Sequence, residues 1–476
     1  MISELITIIS KISSHRKNVR MRLVHYPIIF LAFSGMPLMA QQAAPPASQQ
    51  TSAAFKALWQ SPEVQQRIDA GIQANRMGFA RVEVQDASGK PVTGAKISYR
   101  QTTHDFLFGS NIFALNGFPT KDENRTYEER FASTFNFATV PFYWSDLEPE
   151  QGKPRYAKDS PFVARRPPPD AVVEFCLQHH IAMRGHNLIW HFWYPTWLPN
   201  DQEEVTKIAA ERFASIAQRY GKTIDTWDVV NEPLERSPKV ILPKDYAYWA
   251  MTEAARDFPS TTKLSLNETG AVWSKFKEED SPLYLLLENL RLRGARVDVI
   301  GFQFHLFNEQ LYKDVLAGKA MEPLEMLHIL DRYADFQVPI HITEITIPTL
   351  PCTVAGEATQ AELLRDYYRL WFSHPSVEAI TWWNLPDGTA ATTENRWCGG
   401  LLRKDLSPKL AFTVLQNLIQ KDWHTEGSGN SDADGTAAFK GFYGEYELTV
   451  TQGGHTARQT VHLSKHGHND FVIKLQ

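Results

Sequence analysis

Between residues 106 and 419 the chain alternates short apolar runs with longer stretches whose apolar residues recur every three or four positions. The short runs fall at 106–112, 135–141, 181–186, 224–231, 263–267, 297–305, 338–344 and 378–383. Runs of this length, bounded by loops, read as buried strands, and the periodic stretches between them as amphipathic helices. The clearest helix covers 203–220, where Val205, Ile208, Ala209, Phe213, Ile216, Ala217 and Tyr220 share one face and Gly221 stops the pattern. Ser281 and Pro282 open another and Gly294 closes it. Leu363, Leu364, Tyr367, Tyr368 and Trp371 mark a third, whose aromatic stripe is expected to pack on the strands. Strands alternating with helices imply parallel pairing, and eight such units predict an α/β fold, a closed (β/α)8 barrel over residues 106–420.

The flanks follow a different period. Residues 55–105 begin with a helical stretch, and 79–100 then alternate apolar and polar residues around Asp86-Ala87-Ser88-Gly89-Lys90, which predicts a β-hairpin. Residues 421–476 carry strand patterns at 446–451, 460–463 and 470–475 behind a Gly/Ser/Asn-rich linker at 427–432. Chain termini of a domain often lie close together, so the two flanks are expected to form one small accessory β-sandwich with a structural role.

Composition narrows the function. The 476 residues include 49 basic and 54 acidic ones, a net charge of −5, which favours neither a nucleic acid nor an anionic membrane as partner. Thirteen Trp and sixteen Tyr suit a large aromatic core or stacking platforms for sugar rings. At the N-terminus Arg16, Lys17, Arg20 and Arg22 precede an apolar stretch at 28–39, then Ala40 and a Gln/Ala/Pro/Ser-rich segment. This pattern predicts an export signal over 1–40, read from Met1 or Met21, and a disordered linker over 41–54. The expected product is a secreted or periplasmic monomer without membrane attachment after cleavage. Of three cysteines, Cys352 and Cys398 follow the seventh and eighth strands on loops of one face and are predicted to pair; Cys176 falls on a helix as a buried thiol.

Residues at the C-terminal ends of barrel strands face one site. There the chain places His186, Trp190 and His191, then Asn231 and Glu232, Asn267 and Glu268, Gln303 and His305, Glu344, and finally Trp382 and Asp387. Glu232 and Glu344 stand 112 residues apart, each at the end of an apolar run. Two carboxyls delivered from separate strands are what glycosidic bond cleavage requires, one protonated and one ionised. The apolar neighbours Trp227, Val229, Val230 and Pro233 favour a protonated Glu232, while hydrogen bonds from His305 and Asn231 would keep Glu344 charged. A metal is the competing use of His186, His191, His305 and His341, but no His-x-His or Asp-rich cluster ends a strand. Nor is there a Gly-x-Ser-x-Gly, a phosphate loop or a dinucleotide fingerprint, so chemistry without metal or cofactor is expected.

Four motifs in order carry a resemblance: Gly185-His186-Asn187-Leu188-Ile189-Trp190-His191, Trp227-Asp228-Val229-Val230-Asn231-Glu232, Gly301-Phe302-Gln303-Phe304-His305 and Ile342-Thr343-Glu344. Over about residues 106–415 the chain resembles glycoside hydrolase family 10, the retaining xylanases. The resemblance implies Glu232 as acid/base and Glu344 as nucleophile, with carboxyls about 5–5.5 Å apart. It implies Asn231 on the sugar 2-hydroxyl, His186, Trp190, Gln303 and His305 lining the same subsite, and Trp382 stacking beneath it.

The chain departs from the family in two places. The family usually carries Glu-Asn-x-Met-Lys-Trp after the second strand, where the Glu, Asn and Lys bind sugars on the non-reducing side. Here Thr139-Val140-Pro141-Phe142-Tyr143-Trp144 stands instead, with Trp144 and Glu148-Pro149 keeping the alignment and Tyr143 facing the sugar. After the eighth strand the family's second tryptophan falls near Ala390, and Trp397 is the candidate substitute. Loss of three polar anchors changes recognition more than bond cleavage. The expectation is a retaining endo-β-1,4-glycanase acting on a xylan-type polysaccharide or oligosaccharide. An exo-acting β-glycosidase on a decorated or different hemicellulose, its cleft closed by insertions at 161–170 and 349–360, and a non-catalytic carbohydrate-binding barrel are the alternatives.

Overall fold

The computed structural model describes residues 50–235 and 240–476. The export signal read over 1–40 and most of the 41–54 linker lie outside the described residues. The linker ends earlier than its pattern suggested. Ser52 caps the helix Ala53–Trp59 by accepting from Phe55 N, and Phe55 and Trp59 are buried.

Strands β1 (Met77–Gln85) and β2 (Lys96–Gln101) precede the barrel. The barrel strands are β3 (Leu107–Asn111), β4 (Phe137–Pro141), β5 (Ala182–Ile189), β6 (Thr226–Asn231), β7 (Lys263–Glu268), β8 (Val299–His305), β9 (Ile340–Thr346) and β10 (Val377–Trp382). Each pairs in parallel with the next, and β10 closes on β3. All eight predicted strands are present, with ends displaced by at most three residues. Helices cover the outside as the 3.6-residue period requires. Gln202–Tyr220, capped by Asp201, buries Val205, Ala209, Phe213, Ile216 and Tyr220. Val354–Ser373 buries Tyr367, Tyr368 and Trp371, and Tyr367 packs on Phe304 of β8 with ring centroids 4.7 Å apart. Among the described residues no helix is long and apolar enough to cross a membrane.

Five strands follow the barrel: β11 (Glu426–Asn430), β12 (Thr436–Phe442), β13 (Gly444–Gln452), β14 (His455–Leu463) and β15 (Asp470–Lys474). They complete two sheets, ordered β12-β1-β15 and β11-β2-β13-β14. The two flanks thus build one sandwich, whose core includes Val82, Val84, Ile97, Tyr446, Leu448 and Val450. The predicted hairpin is not one. β1 and β2 belong to opposite sheets, and only Gln85 and Pro91 bridge across the turn. Two strands facing each other across a core alternate just as two strands paired side by side do, so the pattern cannot tell them apart. The 427–432 linker is likewise mostly strand β11, paired with β2. It lies at an edge with every residue exposed and leaves no burial signal. β12 was unmarked in the sequence for a similar reason, being only partly buried.

Sandwich and barrel are clamped at Arg76, which ends the helix Pro62–Asn75. Its buried guanidinium donates to the carbonyls of Phe372 and Val377 at 2.5 and 2.6 Å and to that of His374, and lies 4.7 Å from the Phe106 ring centroid. Replacing it strands three buried acceptors, each a charge-assisted bond. Arg76→Met is therefore expected to lower the unfolding free energy by about 3 kcal/mol or more, read as a lower urea midpoint. A midpoint within error of wild type would show that the clamp is dispensable.

Candidate active site

The strand ends converge on one cavity of about 280 Å³. β6 ends in Asn231 and hands on to Glu232, whose φ of +52° turns its side chain inward. β9 carries Glu344, β8 carries Gln303 and His305, and β5 carries His186, with Trp190 just beyond it. All seven line the cavity, as does Tyr143.

The two carboxyls have different donors. Glu232 accepts from Trp190 Nε1 and from Gln303 Nε2, both at 2.9 Å. Glu344 accepts from Asn267 Nδ2 at 3.0 Å and faces His305 Nε2 at 3.2 Å, with His186 Nε2 at 3.8 Å. Burial holds the His305 imidazole down at about 4, so the ring is neutral at physiological pH. Its Nδ1 lies 3.0 Å from the Thr346 hydroxyl. With that hydroxyl donating, the single ring proton sits on Nε2 and points at Glu344. The expected bond from Asn231 to Glu344 is absent. Asn267 makes it, and also donates to Asn231 Oδ1 at 2.7 Å while accepting from the Thr343 hydroxyl at 2.6 Å. This packing needs Gly301, because a Cβ there would stand 2.5 Å from Asn267 Oδ1.

Burial pushes both carboxyls up, Glu232 and Glu344 each to about 7. For Glu232 the charge of Glu344 adds to burial, against the bond from Gln303. For Glu344, His186 and Arg184 pull against burial. A coupled pair of this kind holds one shared proton near neutrality. Arg184 favours an ionised Glu344, while Asp228 beside it works the other way.

Arg184 sits inside the barrel with no exposed surface. It donates to Thr139 Oγ1 at 2.9 Å and to Thr343 O at 2.8 Å, and its Nε lies 3.3 Å from Asp228 Oδ2. Asp228 in turn lies 2.8 Å from His186 Nδ1. Burial alone would raise Asp228, but Arg184 and His186 outweigh it and hold the carboxyl below its ordinary value.

Two predicted sugar contacts are corrected. Trp382 is fully buried and donates to Gly399 O at 2.9 Å; the next residue, Trp383, lines the cavity. Adjacent strand residues point to opposite faces, so a one-residue slip exchanges core for cleft. Trp397 is buried behind Phe307, ring centroids 6.2 Å apart, and Phe307 lines the cavity in its place. The substituted positions after the second barrel strand have turned inward: Thr139 binds Arg184, Val140 joins the barrel core, and Tyr143 lies beneath the Arg166 guanidinium, 3.7 Å from its ring centroid. Arg165, Arg166, Trp193 and Glu394 also line the cavity and belonged to no recognised motif. Of the remaining candidates, His341 packs against Phe137 inside the barrel, ring centroids 6.1 Å apart, and is not among the residues lining the cavity. Cys352 and Cys398 are bridged, and Cys176 is the buried free thiol. The 349–360 insertion is largely the first turns of Val354–Ser373, tied down by that bridge.

The sequence model of glycosyl hydrolase family 10 matches residues 107–418. The anti-sigma-I factor RsgI6 of Acetivibrio thermocellus is 28% identical over 382 residues, 79% of this chain and 45% of that protein. Endo-1,4-beta-xylanase B of Thermotoga neapolitana is 25% identical over 340 residues, 66% of this chain and 88% of the xylanase. The chain thus spans less than half of the first relative's length and most of the second's. Native xylanase 10B from Thermotoga maritima has the same fold, with a TM-score of 0.55 at 21% identity over 67% of this chain and 96% of that one.

The charge arrangement is testable by carbon-13 NMR titration of the glutamate carboxyls. The Glu232–Glu344 pair is expected to take up its proton near pH 7 rather than near 4.5. Arg184→Met removes the cation that lowers Glu344, so the Glu344 titration should move upward. Asp228 loses its guanidinium partner and keeps only His186, and the unfolding free energy should fall by about 3–5 kcal/mol. Two carboxyls titrating as ordinary surface glutamates would refute the arrangement.

Proposed function

This chain belongs to glycosyl hydrolase family 10, and from that premise we propose that it is a retaining β-1,4-glycanase acting on xylan-type polysaccharide. The carrying observation is a pair of carboxyls, Glu344 buried and Glu232 partly so, that line one sugar-sized cavity with different hydrogen-bond donors. Glu232, protonated, donates its proton to the departing glycosidic oxygen. Glu344, ionised and oriented by Asn267 and His305, attacks the anomeric carbon and forms a glycosyl ester. Glu232, now a carboxylate, then takes a proton from the water that hydrolyses the ester, which restores both groups. Asn231, on the cavity wall between them, suits a bond to the sugar 2-hydroxyl. A binding-only barrel has no use for a proton poised near neutrality beside a second carboxylate.

One observation favours an exo-acting reading over an endo-acting one. Arg165 reaches from the 161–170 insertion to the loop after β10, donating to Thr389 O at 2.7 Å and Asn384 Oδ1 at 2.9 Å. This strap crosses the end of the cleft where Tyr143 lies. Export is supported by the Cys352–Cys398 bridge and by the basic-then-apolar pattern of the first forty residues.

A polysaccharide panel with product analysis tests the reading. Long β-1,4-xylan is expected to yield a ladder of oligomers if the cleft is open and single terminal units if the strap closes it. Proton NMR at early times should show the product first in the substrate's own anomeric configuration; inversion would refute the double displacement. Glu344→Ala is expected to lower turnover of an aryl β-glycoside by about ten-thousandfold or more, since the covalent step is lost. Turnover near wild type would mean that the nucleophile lies elsewhere.

A further inference from the structure

Two guanidinium groups stand in the wall of the cavity where a glycan-cleaving site needs only hydroxyl-binding groups. Arg165 and Arg166 come from one loop, and both line the same space as Glu232 and Glu344. The loop is braced from behind. Buried Arg155 donates to Asp146 O and Pro161 O, each at 2.9 Å, and to Arg166 O at 3.3 Å. Pro167, Pro168 and Pro169 stiffen its exit. Arg165 holds a φ of +62°, a left-handed conformation that ordinary side chains avoid and that surrounding structure must enforce. The two side chains are thus fixed in place before any ligand arrives.

Their charges are unequally matched. Arg166 pairs with Asp146, Nε to Oδ2 at 2.8 Å, and stacks over Tyr143 and near Phe113. Arg165 has no ion pair among the described residues. Its two bonds go to neutral acceptors, Thr389 O and Asn384 Oδ1. The acid Glu394 in the lining is engaged by Asn384 Nδ2 at 3.1 Å and Ala391 N at 3.3 Å; it acts on Arg165 by charge, as Asp146 does, but forms no direct bond to it. Arg165 Nη1 and Arg166 Nη2 have no hydrogen-bond partner among the described residues. Spare guanidinium donors that open on the cavity can take a bound anion. Sugar hydroxyls satisfy the donors but not the charge, whereas a carboxylate does both through the guanidinium fork.

We infer that Arg165 and Arg166 form a carboxylate-binding subsite, and that the glycan carries a uronic acid on the side of the cleaved bond that Tyr143 lines. The inference rests on the glycanase reading for its sugar and on the arginine geometry for its charge. The carboxylate has two possible sources, the reacting sugar itself or a uronate branch on a neighbouring one. In both the required chemistry is the same: an anion within reach of two prepositioned guanidinium groups.

The test separates binding from turnover. Calorimetric titration of the full chain with D-glucuronate and with D-glucose is expected to show at least tenfold tighter binding of the acid, weakened by added salt. Arg165→Gln, checked for unchanged circular dichroism, should abolish most of that difference, and Arg165→Lys should recover part of it by restoring the charge without the fork. Equal binding of acid and neutral sugar by wild type, or an acid preference that survives Arg165→Gln, would overturn the inference. In turnover, the ratio of kcat/KM on an acidic substrate to that on its neutral counterpart should fall at least tenfold in Arg165→Gln. Cleavage of an aryl β-glucuronide would identify the reacting sugar as the source; cleavage only of uronate-branched xylo-oligosaccharides would identify the branch. If glucuronate binds as expected while no glycan is cut, the glycanase reading fails and the subsite stands. If neutral xylan is cut and glucuronate is not preferred, the subsite fails and the glycanase reading stands.

Discussion

The cleft depends on a positive charge sealed inside the barrel. Arg184 touches β4 through Thr139, β9 through Thr343 and β6 through Asp228, so one guanidinium ties its own strand to three others. It also sets the electrostatics above it. With Arg184 and Asp228 paired, His186 is held by its Nδ1, and Glu344 experiences a cation below and two neutral donors beside it. Glu232 has none of the cation's benefit. Two residues of one type, Glu344 buried and Glu232 partly exposed, are made more unequal by a third that contacts neither of them through a hydrogen bond. Such an interior is expensive in stability and is retained where it orders a site.

The cavity has two walls of contrasting character. Asn231, Gln303 and His305 form a polar wall, with Asn267 bonded to Asn231 and Glu344 beside it. The opposite wall is aromatic and cationic. Tyr143, Trp190 and Trp193 pack together there, the two tryptophan rings stacked with centroids 5.3 Å apart, and Arg166 caps Tyr143. Reinstating a lysine at position 143 would set a second cation against Arg166, so single reversions toward the commoner pattern conflict with what has grown around them.

The barrel and the carboxyl pair at its strand ends were legible in the sequence because both are periodic or local. Each strand announced itself by an apolar run, and strand ends carry Glu232, Gln303, His305 and Glu344 without further information. What was not legible lay in parity and in pairing. Trp382 and Trp383 are chemically identical neighbours, and only the register of β10 against β9 decides which one meets the cleft. Asn267 could be placed at the site but not distinguished from Asn231 as the donor to Glu344, because that choice depends on how Gly301 lets two strands approach. Arg165 and Arg166 sat in an insertion read as closing one end of the cleft, not as a source of two cations on its wall. The opposite assignments of β1 and β2 to two sheets, and the strand hidden in a glycine-rich segment, follow from partners more than three hundred residues away.

That remoteness affects how the molecule is made. β1 finds both of its neighbours, β12 and β15, in the last forty-odd residues of the chain. At ribosomal speeds its apolar face and both hydrogen-bonding edges stay bare for on the order of tens of seconds while the barrel is synthesised. The sandwich can close only after β15 has emerged. A product clipped near its C-terminus keeps an intact cleft yet exposes β1 and β2, the kind of surface that proteases and chaperones seize.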